Sequence, residues 1–172
     1  MIFSSASAQS DTANWPSQNL NIKNSRYSTL DQINTSNVDQ LNMLWSFEPG
    51  LRDDIAQVTP LVVDGVMYLH SRATMYALDA TTGEELWRRI LDSGPANGPV
   101  RGSTYAEGRV YAYRGADLYA FDAETGAAVA SFGDAGFLKV VAQGLHHQYP
   151  DTYPTDIDPI TIGYRLTTPP TF

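Results

Sequence analysis

The stretch Leu61–Trp87, LVVDGVMYLHSRATMYALDATTGEELW, decides the fold, because it returns 43 residues later as TYAEGRVYAYRGADLYAFDAETGAAVA from Thr104 to Ala130. Laid over each other without a gap, the two share nine of 27 positions, among them Gly65/Gly108, Tyr68/Tyr111, Tyr76/Tyr119, Asp79/Asp122 and Gly83/Gly126. Unrelated segments of this length do not agree so closely, so the chain contains a repeat.

Each unit reads as strands. Val62-Val63, Asp64-Gly65 and Val66-Met67-Tyr68 form a strand, a two-residue turn and a strand, which is a strong local hairpin signal. Tyr76-Ala77-Leu78 opens a third strand, and Asp79-Ala80-Thr81-Thr82-Gly83 turns the chain again. There the aspartate carboxylate accepts from the amides that follow it, and Gly83 supplies a positive φ. Glu85-Leu86-Trp87 runs out as a fourth strand, with Leu44-Trp45-Ser46-Phe47 as its counterpart one period earlier. A four-stranded unit of about 40–45 residues has the size of one β-propeller blade. The expected fold is therefore all-β: about two blades, with repeat units near 45–87 and 88–131. Asp79 and Asp122 are turn residues with no acid–base role, and Trp87 packs between blades.

Outside the repeat, Ser36–Leu41 reads as a short helical turn capped by Ser36. Residues 138–165 form a loop-like insert rich in tyrosine, proline and aspartate, and Leu166-Thr167-Thr168-Pro169-Pro170 opens a new strand. Residues 1–13 read either as a signal-peptide remnant, with Ser5-Ala6-Ser7-Ala8-Gln9 as a small-residue cleavage site, or as a disordered serine-rich N-terminus.

Composition narrows the function. The 172 residues are 42% hydrophobic and 17% charged, ordinary for a folded chain. Eleven Lys and Arg against 19 Asp and Glu give a formal charge of −8, which argues against phosphate-neutralising nucleic-acid binding and a polybasic membrane anchor. No apolar run reaches the length of a transmembrane helix. The absence of cysteine excludes disulfides, thiolate metal sites and a cysteine nucleophile. His146 and His147 are adjacent and point apart on an extended chain, so with Asp151, Asp156 and Asp158 they read as a solvated loop rather than a metal site.

Propellers close with roughly four to eight blades. Two alone leave strand edges and apolar faces uncovered, so the chain is expected to be one piece of a larger propeller. A second polypeptide carrying the remaining blades would complete it in a hetero-oligomer, unless truncation has removed them.

In order along the chain, NWPSQN, NSRYSTLDQINTSNVDQLNMLWSF, TPLVVDGVMY, YALDATTGEELW, VRGSTY, LYAFDAETG, FGDAGFLKV and LTTPP resemble the N-terminal part of the pyrroloquinoline-quinone (PQQ)-dependent dehydrogenases. The resemblance spans Asn14 to Pro170 and about a third or less of a family member. FGDAG and TTPP lean towards the glucose and polyol branch.

The resemblance implies an eight-bladed propeller holding the quinone on its axis beside calcium. It further implies oxidation of an alcohol, polyol or sugar to the carbonyl, with electrons passed to a quinone or cytochrome. It implies a periplasmic or secreted location. The catalytic base and the calcium ligands are expected outside this chain.

Four cofactor-binding positions carry over. Gln57, three residues before Pro60, stands where many relatives have a glutamate that contacts the quinone. Arg101 in VRGSTY matches an arginine that reaches the quinone oxygens, and its planar fork suits carboxylates. Gly102 beside it lets the backbone approach closely. Thr167 and Thr168 lie where relatives place a hydroxyl near the cofactor. The adjacent cysteines that many relatives carry shortly before the arginine are absent from Gly94–Pro99. The competing reading is a non-catalytic propeller scaffold for protein binding, which leaves Arg101-Gly102 and Pro169-Pro170 unexplained.

Overall fold

In the computed structural model, which describes residues 13–50, 55, 57–91 and 100–171, the two repeats form two four-stranded antiparallel sheets. Ser5–Gln9 and Gly94–Pro99 lie outside the described residues. The first sheet comprises β1 (Leu61–Val63), β2 (Val66–His70), β3 (Thr74–Asp79) and β4 (Glu85–Ile90), paired in sequence order. The second comprises β5 (Thr104–Ala106), β6 (Arg109–Arg114), β7 (Asp117–Asp122) and β8 (Phe137–Leu138), ordered alike. This is the architecture of two blades of an unclosed propeller.

The turn chemistry produces the hairpins. Val63 pairs with Val66 around Asp64-Gly65, whose φ angles are 50° and 82°. Ala106 pairs with Arg109 around Glu107-Gly108, at 50° and 73°. Two successive positive φ values match the twist of the flanking strands, which explains why the repeat keeps glycine at the second place. At the next turn, Asp79 Oδ1 accepts from the Thr81 amide at 2.8 Å, the Thr81 hydroxyl at 2.6 Å and the Thr82 amide at 2.9 Å. Asp122 Oδ1 accepts from the Thr125 amide at 2.9 Å and its hydroxyl at 2.7 Å.

The apolar faces of the two sheets meet in one core. Leu61, Met75 and Ala77 from the first sheet and Val110, Ala112 and Phe121 from the second are all buried in it. Trp87 joins it from β4. Its indole lies against Gly126, where an added Cβ would come within 2.6 Å of the ring, and its Nε1–H donates to the Ala123 carbonyl at 3.0 Å. Trp45 does the same one period earlier, lying against Gly83 and donating to the Ala80 carbonyl at 3.2 Å. Each tryptophan thus sits on the aspartate–glycine turn of the following sheet, as expected for Trp87.

Several local expectations are corrected. Leu44–Phe47 is extended but pairs with no described strand. The 3₁₀ turn at Val38–Gln40 follows Asn37, and Ser36 does not cap it. The Ser36 hydroxyl is instead drawn to Asn34 Oδ1 at 2.5 Å. The stretch expected to be loop-like carries α1 (Val140–Gln148) and a second 3₁₀ turn at Pro159–Ile162. Asp158 caps that turn by accepting from the Ile160 amide at 3.0 Å, and Gly163 closes it at φ 90°. Leu166–Pro170 does not open a strand, since neither proline has an N–H for a ladder.

The N-terminal segment covers an edge. The Trp15 amide donates to the Val62 carbonyl at 2.6 Å, the Val62 amide donates to Trp15 at 3.1 Å, and the Tyr105 amide donates to the Pro16 carbonyl at 2.8 Å. Residues 15–16 therefore run across both β1 and β5, the first strands of the two sheets, and satisfy backbone groups that an open edge leaves unpaired.

Candidate functional site

Three lead-in segments converge on Gly102–Thr104. Thr59 and Gly102 form a parallel bridge, so the residues entering β1 and β5 run side by side. The Thr104 hydroxyl donates to the Pro170 carbonyl at 2.6 Å, which ties the 166–170 segment to the start of β5. Gln57 lies two residues before Thr59, Arg101 immediately before Gly102, and Thr168 two residues before Pro170. The structure therefore brings the three segments carrying the sequence candidates to the place where β1 and β5 begin.

All four candidate side chains, Gln57, Arg101, Thr167 and Thr168, are exposed. Thr168 also lines a groove of about 340 Å³, with Ser17, Asn19, Asn21, Thr104 and Pro170 among its walls. Gln57, Arg101 and Thr167 do not line it. The groove presents amides and hydroxyls and no charged side chain.

The backbone at Arg101-Gly102 is held from two sides. The Arg101 amide donates to Tyr113 Oη at 3.0 Å. His70, fully buried, places Nδ1 2.9 Å from the Gly102 carbonyl. A carbonyl only accepts, so this contact sets Nδ1 as the protonated nitrogen. The two rings also meet edge to face, with centroids 5.5 Å apart and planes at 88°. Burial pushes the Tyr113 phenol above its ordinary value, while the Arg101 amide bond and positive charge oppose the rise. Tyr113 therefore stays neutral near pH 7.

Gly102 is required by this arrangement. Its φ is 128°, and an added Cβ would lie 3.1 Å from the Thr59 carbonyl oxygen. The close approach of the two lead-in strands needs a residue without a side chain there.

His70 and Tyr113 are supporting residues that the sequence reading did not single out. The signal was present: the 43-residue offset sets His70 over Tyr113, at corresponding places in β2 and β6. Both are ring residues carrying a polar atom, and both are turned to the lead-in of β5.

The remaining candidates separate from this site. His146 sits in α1 and its Nδ1 is 2.8 Å from the Tyr153 carbonyl, a contact within the 140–165 region. Among the described residues, no group of three or more His, Asp or Glu side chains is placed to hold a metal ion. Asp79 and Asp122 are solvent-facing turn residues, and hydroxyl and amide donors hold their carboxyls below the usual value. No helix among the described residues is long and apolar enough to cross a membrane.

Two linked four-stranded antiparallel blades, with their lead-in segments side by side at Thr59 and Gly102, define part of a β-propeller. Residues 15–169 match the family described as "PQQ: Glucose/ethanol/alcohol dehydrogenase, beta-propeller domain". The chain belongs to this PQQ-dependent dehydrogenase family.

Relatives include the dehydrogenase subunit of the quinone alcohol dehydrogenase of Gluconobacter oxydans (strain 621H). It is 39% identical over 122 residues, 65% of this chain and 16% of that protein. The lanthanide-dependent methanol dehydrogenase of Methylorubrum extorquens is 36% identical, over 63% of this chain and 20% of its own length. Among solved structures, the quinohemoprotein alcohol dehydrogenase of Comamonas testosteroni superposes with a TM-score of 0.59 at 33% identity, covering 68% of this chain and 19% of that one. The chain thus spans about a sixth to a fifth of the relatives' length.

Proposed function

We propose that this chain supplies two N-terminal blades of an eight-bladed propeller that, once completed, is a PQQ- and calcium-dependent dehydrogenase. Its substrate is an alcohol, a polyol or a sugar, oxidised to the carbonyl, and a quinone or cytochrome receives the electrons. The remaining blades complete the assembly, in the periplasm or outside the cell. The catalytic base and the calcium ligands belong to those other blades.

The observation that supports this reading is the convergence on Gly102–Thr104 of the three segments that carry Gln57, Arg101 and Thr167-Thr168, where β1 and β5 begin. This donor set suits an anionic, oxygen-rich planar group. Arg101 would hold carboxylate oxygens through its fork, where charge-assisted bonds are the strong ones. Gln57 and the two threonines would add neutral donors, and Gly102 leaves room for close approach. Tyr113 and His70 hold the backbone from which Arg101 projects.

When bound, the quinone supplies the redox chemistry, taking up the two electrons and two protons that the alcohol loses. The role of this chain is to bind and orient it. The test is an artificial-acceptor assay on the full chain assembled with the remaining blades. Alcohol, polyol or sugar oxidation that requires both PQQ and calcium is expected. Oxidation supported equally by a nicotinamide cofactor, or none with saturating quinone and calcium, would overturn the reading.

A further inference from the structure

Thr104 and Tyr105, the first two residues of β5, each hold one wall of a groove. The Tyr105 amide donates to the Pro16 carbonyl at 2.8 Å, which anchors the N-terminal segment just before Ser17. The Thr104 hydroxyl donates to the Pro170 carbonyl at 2.6 Å, which anchors the 168–171 segment. Between the two segments lies the groove of about 340 Å³, bordered by Ser17, Gln18, Asn19 and Asn24 from the first and by Thr168 and Thr171 from the second.

The N-terminal wall is tied into one shape by its own side chains. Asn21 Oδ1 accepts from the Lys23 amide at 3.0 Å, and Asn21 Nδ2 donates to the Ser25 hydroxyl at 2.8 Å. Arg26 Nε donates to Asn19 Oδ1 at 2.7 Å. Leu20, Asn24 and Arg26 sit at φ 71°, 53° and 49°. For leucine and arginine that conformation is costly, and it persists only where surrounding bonds impose it.

The groups this frame leaves over define a ligand chemistry. The side chains of Ser17, Gln18, Asn24, Thr168 and Thr171 make no hydrogen bond to any described residue. Ser17 and Gln18 are nevertheless half-buried. Carboxamides and hydroxyls present donors and acceptors side by side, which matches a row of hydroxyls, each able to do both. No lining residue is charged, so an ionised ligand would lose hydration without gaining a counter-charge. An apolar ligand would cover these groups and leave them unsatisfied. Ile22 and Pro169 add the apolar surface that the C–H faces of a sugar need. Small-molecule clefts begin at about 300 Å³, so a groove of about 340 Å³ takes one small ligand.

We propose that this groove binds one neutral polyhydroxylated molecule, a sugar or a polyol, through Ser17, Gln18, Asn19 and Asn24. It is a site of its own: Gln57, Arg101 and Thr167 do not line it, and Thr168 alone is shared with the cofactor positions. The inference does not depend on the dehydrogenase reading, since it needs neither quinone nor metal.

The test titrates the full chain, without quinone, with sorbitol, D-glucose, sodium gluconate and 1-butanol, following backbone and side-chain amide resonances by NMR. Sorbitol and glucose should shift residues 17–24 and 168–171 saturably. Gluconate and butanol should bind at least fivefold more weakly. Asn24→Gly removes the carboxamide while suiting φ 53°, and Gln18→Ala removes the second. Each should weaken sorbitol binding about twofold to tenfold, the worth of a neutral hydrogen bond, with the resonances of β1–β8 unmoved. No saturable shift at these residues would overturn the proposal. So would equal binding of gluconate or butanol, or wild-type sorbitol affinity in both variants.

Discussion

His70 Nδ1 and the Gly102 carbonyl oxygen are 2.9 Å apart, a hydrogen bond that reaches from the end of β2 in one blade to the lead-in of β5 in the next. It fixes the backbone beside Arg101 from within the core, because His70 is fully buried. Removing the donor leaves a carbonyl without its partner, at a cost of about 1–3 kcal/mol. His70→Phe, which keeps a ring against Tyr113, should therefore lower the midpoint of denaturant unfolding of the assembled protein. An unchanged midpoint would show that the bond contributes nothing.

Gly102→Ala should be at least as harmful. The substitution forces an L residue to φ 128° and sets its Cβ 3.1 Å from the Thr59 oxygen. Residues held in such regions cost about 1–3 kcal/mol. Loss of stability in denaturant melts, together with weaker quinone binding, is expected. Wild-type values in both would mean that the lead-in strands separate freely.

The tryptophan seats predict an order of effects among glycines with similar φ. Gly126→Ala places a Cβ 2.6 Å from the Trp87 ring at φ 67°, whereas Gly108→Ala at φ 73° meets nothing within 4 Å. Both pay the left-handed backbone cost of about 1–2 kcal/mol, but only the first also displaces an indole. Gly126→Ala should lower Tm more and shift tryptophan emission to longer wavelength. Equal losses in the two variants would contradict the seat.

The turn aspartates give a pH dependence of definite sign. The Thr81 hydroxyl and the Thr81 and Thr82 amides lower the Asp79 carboxyl, and the Thr125 hydroxyl and amide lower that of Asp122. Because folding depresses these pKa values, the stabilisation is present above the unfolded value and is lost as pH falls through the folded one. Carboxyl-carbon NMR titration should find both below the ordinary aspartate value of about 3.9, with Thr125→Val moving Asp122 back towards it. An unshifted Asp122 in the wild type would refute the turn geometry.

Much of this structure was legible in the residues, because the determinants were local. Asp64-Gly65 and the Asp79–Gly83 turn encode their own geometry, and the 43-residue offset carried that reading to the second unit. The errors fell where tertiary context decides. Leu44–Phe47 has strand chemistry, but a strand needs a partner, and no described residue provides one. Val140–Gln148 is helical although Gly144 lowers its propensity; its first turn is fixed by the Val141 amide donating to Ala116 in the β6–β7 turn at 3.3 Å. At the candidate site, the resemblance pointed to Arg101; the repeat offset set His70 over Tyr113, but the role of His70 depends on a contact between blades that no local pattern announces.

Quinone affinity of Arg101 variants tests the central claim most directly: that this chain helps hold PQQ at the head of its inner strands. Hydrogen bonds to charged groups contribute about 1.5–3 kcal/mol, so Arg101→Ala in the assembled protein should weaken PQQ binding by roughly tenfold to a hundredfold or more. Arg101→Lys should recover only part of the loss, since lysine keeps the charge but not the fork. Calorimetric titration with PQQ, alongside an unchanged melting curve, is the measurement. Wild-type affinity in Arg101→Ala would contradict the account.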